Sequence, residues 1–275
     1  MGINSLLGKL INRYLLKESK TANRHIHLSD FDRVCHEIIP GDILLVEGHN
    51  RASQIIKRVT STQWTHAALY LGRIHSIENA ATRRTLNRHY HGPASTQLFV
   101  DTMPGIGTRL VPVSHYNKRH LRICRPRGIS YVDTQKIIDY VAPHIGRDYN
   151  TGHLIQLGLY ILAGKFLPRR CLRSLFEHNK DKQSTKDICS ALIAEAFMNV
   201  NFPILPLIIS NNDSIEMVHR NPKLFKPSDF DSSPYFDIIK YPLVPKGKNA
   251  PYHHYPWKDN ALSNDGFVSE IEKES

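Results

Sequence analysis

The sequence predicts an α+β fold, and three observations predict it. Short apolar runs rich in strand formers are grouped between residues 43 and 125, separated by turn signals such as Pro40-Gly41-Asp42 and Pro104-Gly105. Two well-patterned helical segments follow, at 133–145 and 188–200. Runs of strands followed by helices, rather than strict alternation, is the pattern of α+β proteins. The length of 275 residues and a 41% hydrophobic fraction allow one large domain with a sizeable core.

Taken in order, residues 3–17 place Leu6, Leu7, Leu10, Ile11, Tyr14 and Leu15 at helical spacing with Lys9, Arg13 and Lys17 between them. This is a basic amphipathic helix, followed by a polar linker over 18–32. It packs on its own domain or lies on an anionic membrane surface, and the latter makes residues 1–20 a membrane contact. Ile43-Leu44-Leu45-Val46 is a strand, and 53–60 is a short helix capped by Ser53. Residues 66–71 form a central strand closed by Gly72, and 74–80 its partner, with Glu78 near the end. The basic, poorly periodic stretch 83–96 reads as a long loop. Residues 97–102, 107–113 and 120–125 continue the sheet.

The helix at 133–145 buries Ile137, Ile138 and Val141. The segment 153–168 is apolar almost all round, a buried helix or a lipid-contacting lid, and 172–185 is an exposed lysine-rich connection. In the helix at 188–200, Leu192, Ile193, Ala196 and Phe197 form the buried side. Residues 206–210 are apolar and ambiguous, 226–230 open a short helix, 236–240 form a last strand, and the polar stretch 246–275 reads as a disordered tail.

The formal net charge is +11 and the pI near 9.5, which favours anionic partners. No zinc-finger spacing or RNA-binding aromatic signature accompanies it, so nucleic acid is not the expected partner. The four cysteines form no C-x-x-C pair and suit a reducing compartment. His89-Tyr90-His91 and His253-His254 are surface histidines on this reading. No H-E-x-x-H helix exists, and neither a metal nor a cofactor is implied. No secretory leader and no run of about 18 apolar residues is present, so the expected location is cytoplasmic, with peripheral membrane contact through the first helix.

Two stretches far apart in sequence carry the chemistry. Trp64-Thr65-His66-Ala67-Ala68-Leu69-Tyr70-Leu71-Gly72 puts a histidine at the entrance of a buried strand. Asp187-Ile188-Cys189-Ser190-Ala191-Leu192 puts a cysteine in the first turn of a helix. A helix N-terminus stabilises a thiolate through its dipole and its free N–H groups, and an imidazole serves as the partner base. Such a pair needs a third group to orient the imidazole. Glu78 is the candidate, one hairpin from His66 if Gly72-Arg73 makes the turn, and His75 is its rival. The N–H groups of Cys189 and Ser190 supply part of an oxyanion hole. Tyr149, Asp42, Trp64 and Ser190 are the candidate substrate contacts. Cys35, Cys124 and Cys171 are read as structural.

The ordered series Pro40-to-Val46, Thr65-to-Gly72, Ile77-Glu78-Asn79-Ala80, Gly146-Arg147-Asp148-Tyr149, Ile188-to-Leu192 and Pro227-Ser228-Asp229 resembles the circularly permuted, NlpC-type papain-like cysteine hydrolases. The likeness is to the YiiX/YebB-like branch, related to lecithin:retinol acyltransferase-like proteins. It covers about residues 38–240, with the histidine before the cysteine as permutation requires. The resemblance implies Cys189 as nucleophile, His66 as base and Glu78 as third polar residue. It also implies a small antiparallel sheet or partial barrel packed against the cysteine helix. The domain it implies runs over 33–245, with an apolar insertion at 151–186. The family hydrolyses amides, including cell-wall peptides, and permuted relatives move acyl groups on lipids. A cysteine hydrolase acting on a peptide amide or ester is therefore expected. A lipid-directed acyltransferase or thiol lipase, or a non-catalytic module using the same groove, are the alternatives. Thr65 stands where the family often has Ser.

Overall fold

The computed structural model describes residues 29–103, 106–147, 189–211 and 214–243, with short pieces at 255, 257–258, 261–264 and 267–270. The helix expected at 3–17, the insertion 151–186 with its apolar run, and Tyr149 lie outside the described residues. In chain order the elements are α1 (Phe31–Glu37), β1 (Ile43–Val46), α2 (Arg51–Thr60), β2 (His66–Arg73), α3 (Ala80–His89), β3 (Gln97–Met103), β4 (Gly107–Pro112), β5 (Leu121–Pro126), α4 (Tyr131–Val141), α5 (Cys189–Met198), β6 (Leu207–Asn211), β7 (Ser214–Val218), α6 (Pro227–Ser232), β8 (Phe236–Ile239), β9 (Ala261–Asn264) and β10 (Phe267–Glu270). The fold is α+β.

Six of these strands form one sheet in the order β4-β3-β2-β1-β5-β8, with every pairing antiparallel. The sheet is open in this order, with β4 and β8 at its edges. Its centre is buried on both faces, which is why β1 and β2 read as continuous apolar runs rather than alternating ones. On one face Ile43, Leu45, Ala67, Leu69 and Leu71 pack with Ile137, Ile138 and Val141 of α4 and with Leu192, Ile193, Ala196 and Phe197 of α5. On the other, Leu44, Val46, Ala68, Tyr70 and Phe99 pack with Val34 of α1 and Tyr116. The polar stretch before α1 is tied down at its end. The Ser29 hydroxyl donates to the Leu121 carbonyl and Asp30 caps α1 through the Arg33 N–H.

The structure departs from the sequence reading in several places. No strand forms over 74–80. β2 runs on through Gly72, where φ is +85° and the register against β3 shifts, and ends at Arg73, followed by a 3-10 turn at Ile74–Ser76. β2 therefore pairs with β1 and β3, not with a following hairpin arm. The expected loop 83–96 instead begins as α3. Its signal was Asn79, whose side chain accepts the N–H groups of Ala81 and Thr82. Only Thr82 and Leu86, one turn apart, are buried on it, too few to register as a periodic pattern. Leu86→Ala is expected to destabilise the fold by about 2–5 kcal/mol in urea unfolding, because a fully buried leucine leaves a cavity.

Helix α2 begins at Arg51 and is capped by Asn50, which takes the Ser53 N–H, so Ser53 is inside the helix rather than its cap. β6 and β7 pair antiparallel as a separate two-stranded sheet, with Leu207, Ile208, Ile215 and Met217 more than half exposed. Within the stretch 246–275, the described strands β9 and β10 pair antiparallel.

Candidate functional site

The histidine strand is anchored before it begins. The Trp64 ring stacks on His120 with centroids 5.2 Å apart, Arg122 lies 4.7 Å above it, and its Nε1 donates to Asp231 at 3.2 Å. The Thr65 hydroxyl accepts the Gly48 N–H at 2.9 Å. His66 follows as the first residue of β2, opposite Val46 of β1. A side chain at a strand end can reach the end of a neighbouring helix while its backbone stays in the ladder.

Two groups meet that imidazole. Nε2 of His66 lies 2.5 Å from Oδ1 of Asp101, whose carboxylate is fully buried. The second group is Cys189, which acts on the charge of the same ring. Cys189 is the first residue of α5 and is buried. Burial pushes His66 toward its neutral form, yet Asp101 and then Cys189 outweigh it, and the imidazolium is held well above its ordinary value of 6.5. Burial likewise opposes the charge on Asp101, but His66 and Arg109 hold its carboxyl down at about 2.

Asp101 has its own support. In the β3–β4 ladder it sits opposite Arg109, whose Nη2 is 3.2 Å from Asp101 Oδ2 and 3.2 Å from His115 Nε2. The other carboxylate oxygen is the one that faces His66. Tyr116 is buried, and burial followed by the Asp101 charge holds its phenol well above its ordinary value of 10. Sequence reasoning missed Asp101. The signal was present: in Leu98-Phe99-Val100-Asp101-Thr102 one carboxylate interrupts an apolar strand, and a charge buried there requires a partner.

Glu78 is not beside His66. It is exposed beyond the far end of β2, and its backbone N–H donates to Gln135 Oε1 at 3.1 Å. Seven strand steps separate His66 from Arg73, about 23 Å at roughly 3.3 Å per residue, and Glu78 comes after that. His75 is at the same far end, with Nδ1 3.2 Å from the Ala94 carbonyl. The hairpin turn that was to bring either of them back does not exist.

The remaining predicted contacts are structural where they are described. Trp64 is only 2% exposed and held as above. The Ser190 hydroxyl donates to the Phe225 carbonyl at 2.6 Å, so it is its N–H rather than its side chain that could meet a ligand. Asp42 is fully buried at the opposite end of β1 from Val46, where it takes Arg125 Nη2 at 2.7 Å and the Ile39 N–H at 3.0 Å. Asp42→Ala is expected to cost about 3 kcal/mol in denaturant unfolding, because Arg125 loses its buried partner, and to leave Cys189 reactivity unchanged.

No family profile matches the chain, and no curated protein matches it. Among solved structures it is similar to the metalloprotein yiiX of Escherichia coli O157:H7, at 11% identity and a TM-score of 0.45, over 74% of this chain and 96% of that one. A likeness that distant assigns no chemistry to this chain. Among the described residues, no group of three or more His, Cys, Asp or Glu side chains is placed to hold a metal ion, and no helix is long and apolar enough to cross a membrane.

The other described cysteines differ from Cys189 in setting. Burial, with a lesser push from Asp32, raises the Cys35 thiol to about 11. Burial pushes Cys124 further still. Both are kept as thiols.

Proposed function

We propose that this protein is a cysteine hydrolase that cleaves an amide or ester through an acyl-enzyme intermediate, with Cys189 as nucleophile, His66 as base and Asp101 as the residue that orients His66. The observation that carries the reading is the placement of one imidazole between a buried carboxylate and a thiol at a helix N-terminus. On this reading Asp101 replaces Glu78 as the third residue. The histidine also precedes the cysteine in the chain, which fits a permuted papain-like arrangement.

The steps follow from the groups present. The Cys189 thiolate attacks the carbonyl carbon, a C–S bond forms, and the carbonyl electron pair moves onto oxygen. The first N–H groups of a helix have no intrahelical acceptor, so those of Cys189 and Ser190 can meet that oxyanion. The oxyanion collapses, the bond to the leaving nitrogen or oxygen breaks, and the His66 imidazolium gives its proton to that atom. Neutral His66 then takes a proton from water as the water oxygen attacks the thioester carbon. Collapse releases the carboxylic acid and restores the thiolate–imidazolium pair. Asp101 keeps Nε2 engaged, so Nδ1 is the atom that moves the proton.

Incubation with p-nitrophenyl acyl esters, followed by intact-mass analysis and peptide mapping, tests this. One acyl group on Cys189, absent in Cys189→Ala and released by hydroxylamine, is the expected result. An unmodified Cys189 across acetyl, butyryl and aminoacyl esters, in protein that is folded by circular dichroism, would overturn it.

A further inference from the structure

We propose that a cleft at the other end of β2, distinct from the Cys189 centre, is a binding site for a small organic oxyanion, a carboxylate or phosphate carried on an apolar body. The cleft holds about 430 Å³ and lies between the C-terminal part of α1, the Arg73 end of β2 and the start of β3. That volume is within the range of small-molecule sites. Seven strand steps along β2, roughly 23 Å, separate it from His66.

The floor of the cleft is built by an irregularity in the sheet. The register of β2 against β3 shifts between Tyr70 and Gly72, and Gly72 takes a φ of +85°. A Cβ on Gly72 would come within 3.0 Å of the Pro40 ring, so the backbone approaches that wall as closely as only glycine allows. Bulges re-aim the side chains beside them, and here the side chain that follows is Arg73, which lines the cleft.

The polar groups in the cleft divide into those already engaged and those available. Gln97 is engaged: its Nε2 donates to the Cys35 carbonyl at 3.0 Å. Arg73 is half engaged: Nε donates to the Ser95 carbonyl at 3.0 Å, which fixes the guanidinium plane and leaves both Nη groups as donors. The Ser76 hydroxyl, three residues on, lines the same cleft. A guanidinium held at Nε presents a planar two-donor edge, the geometry that receives a carboxylate or phosphate. The Cys35 thiol, held up at about 11, stays uncharged at neutral pH and adds no repulsion. It also supplies no nucleophile, so the site binds and does not react. Pro40, Ile38 and the Tyr70 ring give the apolar wall.

The test is calorimetric titration of the full chain with benzoate, phenyl phosphate, inorganic phosphate and neutral benzamide. Saturable binding of benzoate or phenyl phosphate is expected, and the tighter of the two tells which headgroup the site takes. Arg73→Ala should weaken that binding about 10-fold or more, the worth of a charge-assisted bidentate contact. Ser76→Phe, which places a ring in the mouth from an exposed position, should abolish it. Both variants should alkylate Cys189 at the wild-type rate, which checks that they are folded. Three results would overturn the proposal: no saturable binding of either aromatic anion, binding indifferent to Arg73→Ala and Ser76→Phe, or benzamide binding as tightly as benzoate. Inorganic phosphate binding as tightly as phenyl phosphate would overturn the apolar part of the site.

Discussion

His66→Ala slows alkylation of Cys189 by iodoacetamide at pH 6.5 by about 100-fold, the usual worth of a positioned base. On the proposed mechanism a thiolate is the nucleophile, and its partner is His66, whose imidazolium is held above its ordinary value by Asp101 and Cys189. Removing the ring takes away that charge and the hydrogen bond together. Cys35 and Cys124 are internal controls in the same tube. One is raised to about 11 and the other is buried and pushed higher, so neither should label at this pH in either protein. Peptide mapping after brief treatment reads all three sites at once. Equal, slow labelling of Cys189 and Cys35 in the wild type would remove the basis for calling Cys189 a nucleophile and would favour a binding role for the protein.

Asp101→Asn lowers ester turnover by roughly 100-fold or more, whereas Glu78→Gln leaves it within about twofold. Asparagine fills the same space and can still accept from Nε2, but it no longer carries the charge that holds the imidazolium. His66 then titrates lower, so the alkaline limb of the rate profile, where the imidazolium loses its proton, moves to lower pH. Stability carries a matching signature. Asp101, depressed from 3.8 to about 2, contributes stability that is present above about pH 4 and is lost as the pH falls toward 2. His66, raised above 6.5, contributes stability that is complete below 6.5 and is lost as the pH rises through its folded value. Asp101→Ala removes the first effect, weakens the second to what Cys189 supplies, and leaves Arg109 without its carboxylate, at a cost of about 3–5 kcal/mol. Asn is therefore the variant for kinetics and Ala the one for stability. Equal losses in Asp101→Asn and Glu78→Gln would contradict this assignment.

The parts of this site that could be read from sequence are those with local signals. A cysteine opening an apolar helix and a histidine opening an apolar strand each show in a short window, and the structure brings Cys189 and His66 into contact. The third residue depends on which strands are neighbours, and that depends on where β2 ends. Gly72 reads as a turn glycine in the sequence, but its positive φ serves a register shift inside the strand, and the strand continues. That one difference moves Glu78 to the far end and leaves β3, with Asp101, as the neighbour of β2. The central strands were legible because burial on both faces makes them continuously apolar. Helix α3 was not, because it buries two side chains and depends on the Asn79 cap. Asp42 and Trp64 have the residue types of substrate contacts, but their polar atoms are committed to Arg125 and Asp231, which no local pattern reveals.

The most direct test of the central claim is an NMR titration of the His66 ring, using 15N-labelled imidazole nitrogens, in wild type, Asp101→Asn and Cys189→Ala. Wild-type His66 is expected to stay doubly protonated well above pH 6.5, with Nδ1 and Nε2 both responding, and each variant is expected to titrate lower than wild type. A ring that titrates near 6.5 in all three proteins would show that neither Asp101 nor Cys189 engages it, and would contradict the assignment of this site as a nucleophile–base pair.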